Sequence, residues 1–116
     1  MRSQDADVWI SAVNLAEVSD RLRRRVGLDS ATTEERLDLL LDAGVQVHDP
    51  SGSTARSAGS LRARYYQRRQ PISLAGAFAL ATALQLDASL LTADAALLTV
   101  AEAERVRVVP LLDQPR

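Results

Sequence analysis

The sequence predicts an α/β protein, a three-layer α/β/α arrangement with helices covering a mostly parallel sheet, and three observations lead there. Short apolar or β-branched runs alternate with stretches of helical periodicity in the order β-α-α-β-α-α-β-α-β. Successive strands are thus joined by helical crossovers, the connection that parallel strands require. The 116 residues suit one domain spanning residues 1–116, long enough to bury about two-thirds of its unfolded surface around a single core. Finally, residues 71–94 (PISLAGAFALATALQLDASLLTAD) join an apolar helix to a buried strand ending on a carboxylate. In open parallel sheets, ligands bind at that end of the strands.

The elements follow in order. Residues 8–13 (VWISAV) are rich in β-branched and aromatic side chains, as a strand is. Leu15, Val18, Leu22 and Val26 recur at helical spacing over residues 14–26, with Gly27 as the stop. A second helix is expected at residues 34–43, entered through Thr32 and Glu35 in capping-box spacing, with Leu37, Leu40 and Leu41 on its core face and Gly44 closing it. Residues 45–48 form a short strand, and Asp49-Pro50-Ser51-Gly52 is turn chemistry. Residues 54–69 are helical in composition but carry few large apolar residues, Leu61 and Tyr65 chief among them, which places that helix on the outside.

Pro71 keeps the chain extended and Ser73 caps a helix running from Leu74 to Leu86. Its many alanines allow close approach on more than one face, so it is an inner helix. Residues 89–93 are a strand covered on both sides, residues 95–103 a helix, and residues 106–111 (VRVVPL) a last strand. The tail after Asp113 has no ordering pattern.

Composition excludes several classes. There is no cysteine, hence no disulfide framework, thiolate zinc site or cysteine nucleophile, which fits a reducing compartment and a cytoplasmic location. No apolar run approaches the roughly 18 residues that span a bilayer, so no membrane partner is expected. With a net charge of −1, any nucleic-acid face must come from local clustering. All 14 basic residues are arginine, grouped at Arg21, Arg23, Arg24 and Arg25 and again at Arg62, Arg64, Arg68 and Arg69. Arginine grips phosphate in a bidentate fork, but a lysine-free, alanine-rich chain equally reflects base composition. Tyr65 and Tyr66, beside the second group, are candidates for stacking on unpaired bases. Tyr65 is also needed as a packing anchor; Tyr66 stays open.

Five acidic residues have to be weighed. Glu17 lies beside the first helix's apolar stripe, where Arg21 at i+4 would form an ordinary exposed pair. Asp94 suits both a ligand at a strand end and the cap of the helix that follows. Asp49 follows His48, but Asp-Pro is foremost a turn start. Asp5 and Asp7 precede a strand and so stand at the wrong end of the sheet.

Three segments, ISAVNLAEVSDRLRR, ISLAGAFALATALQL and ASLLTADAALLTVAEAERVRVVPL, together resemble the bacterial PIN domain of the VapC toxin type, over residues 8–111. The resemblance implies a parallel five-stranded α/β/α domain that cuts RNA with Mg²⁺ or Mn²⁺ held by carboxylates. Such hard cations take oxygen ligands and retain water. Carried over, the glutamate of the helix after the second strand is Glu17, in NLAEV, and the acid after the late strand is Asp94, in LLTAD, with Thr92 as its helper.

Two acids of the pattern are not found. Where relatives read SLADA this chain has Ser73-Leu74-Ala75-Gly76-Ala77, so Gly76 stands in the opening-turn acidic position. The first, central strand with its aspartate and following helix has no counterpart, which implies strand edges closed by pairing residues 8–13 with residues 89–93, by oligomerisation, or by a strand-completing partner. The expectation is a metal-dependent endoribonuclease by lineage whose catalysis is impaired. The alternative is a non-catalytic module that binds an antitoxin-type protein, another PIN subunit or RNA.

Overall fold

In the computed structural model, residues 8–66, 71–92 and 94–110 are described. They form β1 (Trp9–Ser11), α1 (Ala12–Arg24), α2 (Ser30–Asp42), β2 (Gln46–His48), α3 (Gly52–Arg64), α4 (Leu74–Leu86), β3 (Leu90–Thr92), α5 (Ala95–Ala103) and β4 (Val108–Pro110). This is the expected α/β order. Arg68, Arg69, Asp5, Asp7 and the tail lie outside the described residues. The chain divides into two units, Met1–Asp49 and Pro50–Arg116.

In the first unit, β1 and β2 pair in parallel with Trp9 opposite Gln46, Ile10 opposite Val47 and Ser11 opposite His48. The strand ends at Ser11, two residues before its predicted end, because the Ser11 hydroxyl accepts the Val13 N–H at 3.2 Å and starts α1. α1 ends two residues before its predicted end at 26; of the predicted stripe Leu15 and Leu22 are half-buried, Val18 is exposed and Val26 lies beyond the helix, and none of the helix residues is buried. Asp29, not Thr32, caps α2: its carboxylate accepts the Thr32 N–H at 2.8 Å, so the helix starts four residues before the predicted 34. Gly44 closes α2 with φ +109°, a left-handed conformation glycine enters without strain. Of α2's predicted core face, Leu37 and Leu40 are half-buried, while Leu41 is exposed.

Polar ties hold these two helices. Arg23 donates to Glu34 at 2.9 Å, to Ser30 Oγ at 3.2 Å and to the Ser19 side chain. Arg24 grips Asp20 with a fork of 2.9 and 2.7 Å, which holds the Asp20 carboxyl below its usual range. Trp9 meets the His48 ring edge-on at 6.4 Å.

The second unit has a closed core: Ala58, Leu61, Tyr65, Ile72, Ala77, Leu80, Ala81, Ala83, Leu90, Leu97, Val100, Ala101 and Val106 are all buried. α4 is buried over four consecutive positions from Leu80 to Ala83, more than one face, as an inner helix must be. α3 was expected on the outside, but it packs along α4 and buries Thr54, Ala58 and Leu61. Small side chains do the burying, so a count of large apolar residues misses it.

β3 and β4 are joined through α5 and pair in parallel, Leu90 opposite Val108 and Thr92 opposite Pro110. The caps of α3 and α5 are tied together, for Glu104 Oε2 accepts from Arg64 at 2.7 Å and from the Tyr65 hydroxyl at 2.6 Å. The hydrogen bond to Glu104 also raises the Tyr65 phenol above its ordinary pKa. Among the described residues the ladders are β1–β2 and β3–β4, so the first of the expected edge closures, pairing of β1 with β3, is not among them.

Candidate functional site

Asp94 stands between β3 and α5, where the parallel strand ends. Its Oδ1 accepts the N–H groups of Ala96 at 2.9 Å and Leu97 at 3.3 Å, so it caps α5. Thr92 is buried, and its Oγ1 accepts the Asp94 N–H at 3.0 Å. Thr92 thereby fixes the backbone from which the Asp94 carboxylate projects. The carboxylate is exposed, with its other oxygen free of helix caps.

The start of α4 belongs to the same neighbourhood. Ser73 caps the helix by accepting the Gly76 N–H at 2.9 Å. A Cβ at position 76 would lie 3.7 Å from Leu97 Cδ2, in the first turn of α5 that Asp94 caps. The first turns of α4 and α5 therefore meet at Gly76 and Leu97, and a side chain at 76 would start against the helix turn that Asp94 caps. Gly76 is helical, so its backbone does not demand glycine. The one tight approach for a Cβ is the Ser73 Oγ at 3.2 Å, the end of a side chain that can give by a few tenths of an ångström. This contact is a small packing preference for glycine.

Glu17, on α1 in the first unit, pairs with Arg21 at 3.3 Å across one helical turn. Both side chains are partly exposed, so the pair contributes little to stability. His48 meets Trp9, and Asp49 is exposed in a short connection without a turn, because Ser51 is an extended helix cap and Gly52 already opens α3. Tyr65 is buried and anchored on Glu104, whereas Tyr66 is exposed with the Arg62 guanidinium 5.2 Å from its ring centre. Sequence reasoning missed Gly59 and Leu74 beside this ring, although Gly59, Arg62, Ala63 and Tyr66 follow an i, i+3, i+4, i+7 pattern that would have found one shared face.

A divalent cation would need several converging oxygens. Among the described residues no group of three or more His, Cys, Asp or Glu side chains is gathered to hold one. Glu17 and Asp94 fall short of that number, so the donors among the described residues do not make up a fit for the metal.

Parallel strands joined by helical crossovers define an α/β protein. The family model of the PIN domain matches residues 1–103, and the chain belongs to that family. No curated protein matches the sequence. Among solved structures, that of FitAB bound to the IR36 DNA fragment superposes with a TM-score of 0.62 at 20% identity, over 95% of this chain and 78% of that chain. The likeness speaks for the PIN fold. Among the described residues no helix is long and apolar enough to cross a membrane.

Proposed function

We propose that this PIN-domain protein is of the VapC toxin type, by lineage a Mg²⁺- or Mn²⁺-dependent endoribonuclease, and that its own cleavage is impaired. Gly76 is the observation that carries this reading. It occupies the first turn of α4 against the first turn of α5, next to the Asp94 cap, in a backbone any residue could adopt. An acid there would add negative charge beside Asp94 at two helix N-termini, which favour it. Glu17 and Asp94 are the retained family ligands, and Thr92 positions Asp94 through its backbone N–H.

The test is cleavage of single-stranded RNA with Mn²⁺ by this chain and by Gly76→Asp. The expected result is weak or no cleavage by the unmodified chain and a gain on the order of 10- to 100-fold in the variant, the scale on which groups around metal ligands alter activity. Ready Mn²⁺-dependent cleavage by the unmodified chain would overturn the impairment. Silence in both would show that Gly76 is not the limiting defect.

A second reading, a non-catalytic module that binds an antitoxin-type protein, another PIN subunit or RNA, draws on the first unit. Val8, Trp9, Val26 and Leu39 are each exposed there. Apolar surface of this kind suits a protein contact. A dimer or a stable hetero-complex by size-exclusion chromatography supports it, and a monomer that captures no partner overturns it.

A further inference from the structure

We propose that the groove at the C-terminal end of α3 is a stacking subsite for one unpaired base of RNA, with Tyr66 as the platform and Arg62 as its cationic wall; the proposal rests on the RNA reading above. The groove is shallow and open, with a volume of about 420 Å³, and is lined by Gly59, Arg62, Ala63, Tyr66 and Leu74. That volume suits a small planar group.

The two adjacent tyrosines are used in opposite ways. Tyr65 is buried and its hydroxyl is held by Glu104, so it serves packing. Tyr66 keeps 54% of its surface exposed, although a tyrosine ring is a large apolar body to leave in water. Arg62 lies over that ring with its guanidinium carbon 5.2 Å from the centre. Its Nε–H donates to the Ile72 carbonyl at 3.2 Å, which pins the side chain while the other guanidinium nitrogens remain available to phosphate or base oxygens. Leu74, 53% exposed at the start of α4, supplies an apolar flank.

Gly59 is the independent observation. It sits inside α3, where glycine weakens a helix. Its φ is not positive, and an added Cβ would meet nothing within 4 Å. Neither backbone nor packing asks for glycine there. Gly59 is exposed, and its missing side chain leaves that side of the groove open. An aromatic face, a pinned arginine and an open side are the elements by which single-stranded nucleic acid is held through its bases, independent of sequence.

The test measures binding of a fluorescently labelled oligouridine without divalent metal, so that cleavage plays no part. Tyr66→Ala is expected to weaken binding about 5- to 150-fold, the range for loss of one base–aromatic stack. Tyr66→Phe should bind like the unmodified chain. Gly59→Leu should weaken binding without lowering the melting temperature, since its side chain enters open space. If the unmodified chain binds and Tyr66→Ala binds equally well, the subsite falls while the RNA reading stands. If Tyr66→Phe is as weak as Tyr66→Ala, the hydroxyl and not the ring face is at work, and stacking is overturned. Equal RNA binding with reduced self-association of Tyr66→Ala would assign the groove to a protein contact instead. No binding by the unmodified chain overturns the subsite and the RNA reading together, whereas the cleavage assay reports on that reading alone.

Discussion

The two units stabilise themselves by different means. In the second, α3, α4 and α5 bury a continuous apolar cluster, and hydrogen bonds such as those on Glu104 fasten its margin. In the first, the only described residues that are buried are Ser11 and Thr33, both polar. There an amphipathic helix with no buried residue is held by arginine–carboxylate pairs, while Val26 is 63% and Leu39 61% exposed. Exposed ion pairs contribute about 0–1 kcal/mol each, and a fully buried leucine about 1.5–3 kcal/mol. Similar helix lengths therefore conceal unequal stability.

Core truncation gives the largest contrast. Leu80 is 0% exposed, so Leu80→Ala should destabilise the protein by about 2–5 kcal/mol, the transfer loss plus a residual cavity. Leu39→Ala removes a side chain already in water and should stay within about 0.5 kcal/mol. Urea unfolding of both variants checks this. A cost for Leu39→Ala that rivals Leu80→Ala would mean that the first unit's apolar surface is covered in solution, which would favour an oligomer.

Legibility in the sequence follows the same divide. α4 and α5 lie where the sequence puts them, because Ser73 and Asp94 are strong caps placed directly before apolar runs. α2 begins earlier than its capping-box spacing suggests because Asp29 offers a carboxylate one turn sooner, and two adjacent cap signals cannot be ranked without the backbone. The burial of α3 was hidden because Thr54 and Ala58 pack by being small. Glu17 shows a helix pair and Asp94 a helix cap, roles any helix uses. Their link to nuclease chemistry was legible only through the family pattern, and so was the oddity of Gly76.

The start of α4 supplies a smaller effect, with two variants of opposite sign. Ser73→Ala removes the hydroxyl that accepts the Gly76 N–H and should cost about 1 kcal/mol. Gly76→Asp replaces a poor helix former with an acid near a helix N-terminus and should gain about 0.5–1 kcal/mol, less the give required of Ser73 Oγ. Thermal denaturation reads both. A destabilised Gly76→Asp would show that the 3.2 Å approach to Ser73, or repulsion from the Asp94 carboxylate, outweighs the gain, and an equal loss in Gly76→Ala would make the glycine a packing requirement and not a lost ligand.

The smallest effect separates individual helix starts by the chemistry of their caps. α3 and α4 are capped by the hydroxyls of Ser51 and Ser73, which do not titrate in acid, whereas α2 is capped by the Asp29 carboxylate. The Thr32 backbone N–H, donating to that carboxylate, holds the Asp29 pKa below its ordinary value. A depressed carboxyl contributes stability that is complete above its unfolded pKa of about 3.9 and is lost as pH falls through the lower folded value. Acid should therefore loosen the start of α2 while leaving the starts of α3 and α4 in place. NMR titration from pH 6 downward should move the Thr32 amide resonance with a midpoint below about 3.9, and leave the Thr54 and Gly76 amides, which donate to serine hydroxyls, without a matching step. A Thr32 midpoint at or above that value would remove the carboxylate cap from the account of how the first unit holds together, leaving the arginine ties to carry α2.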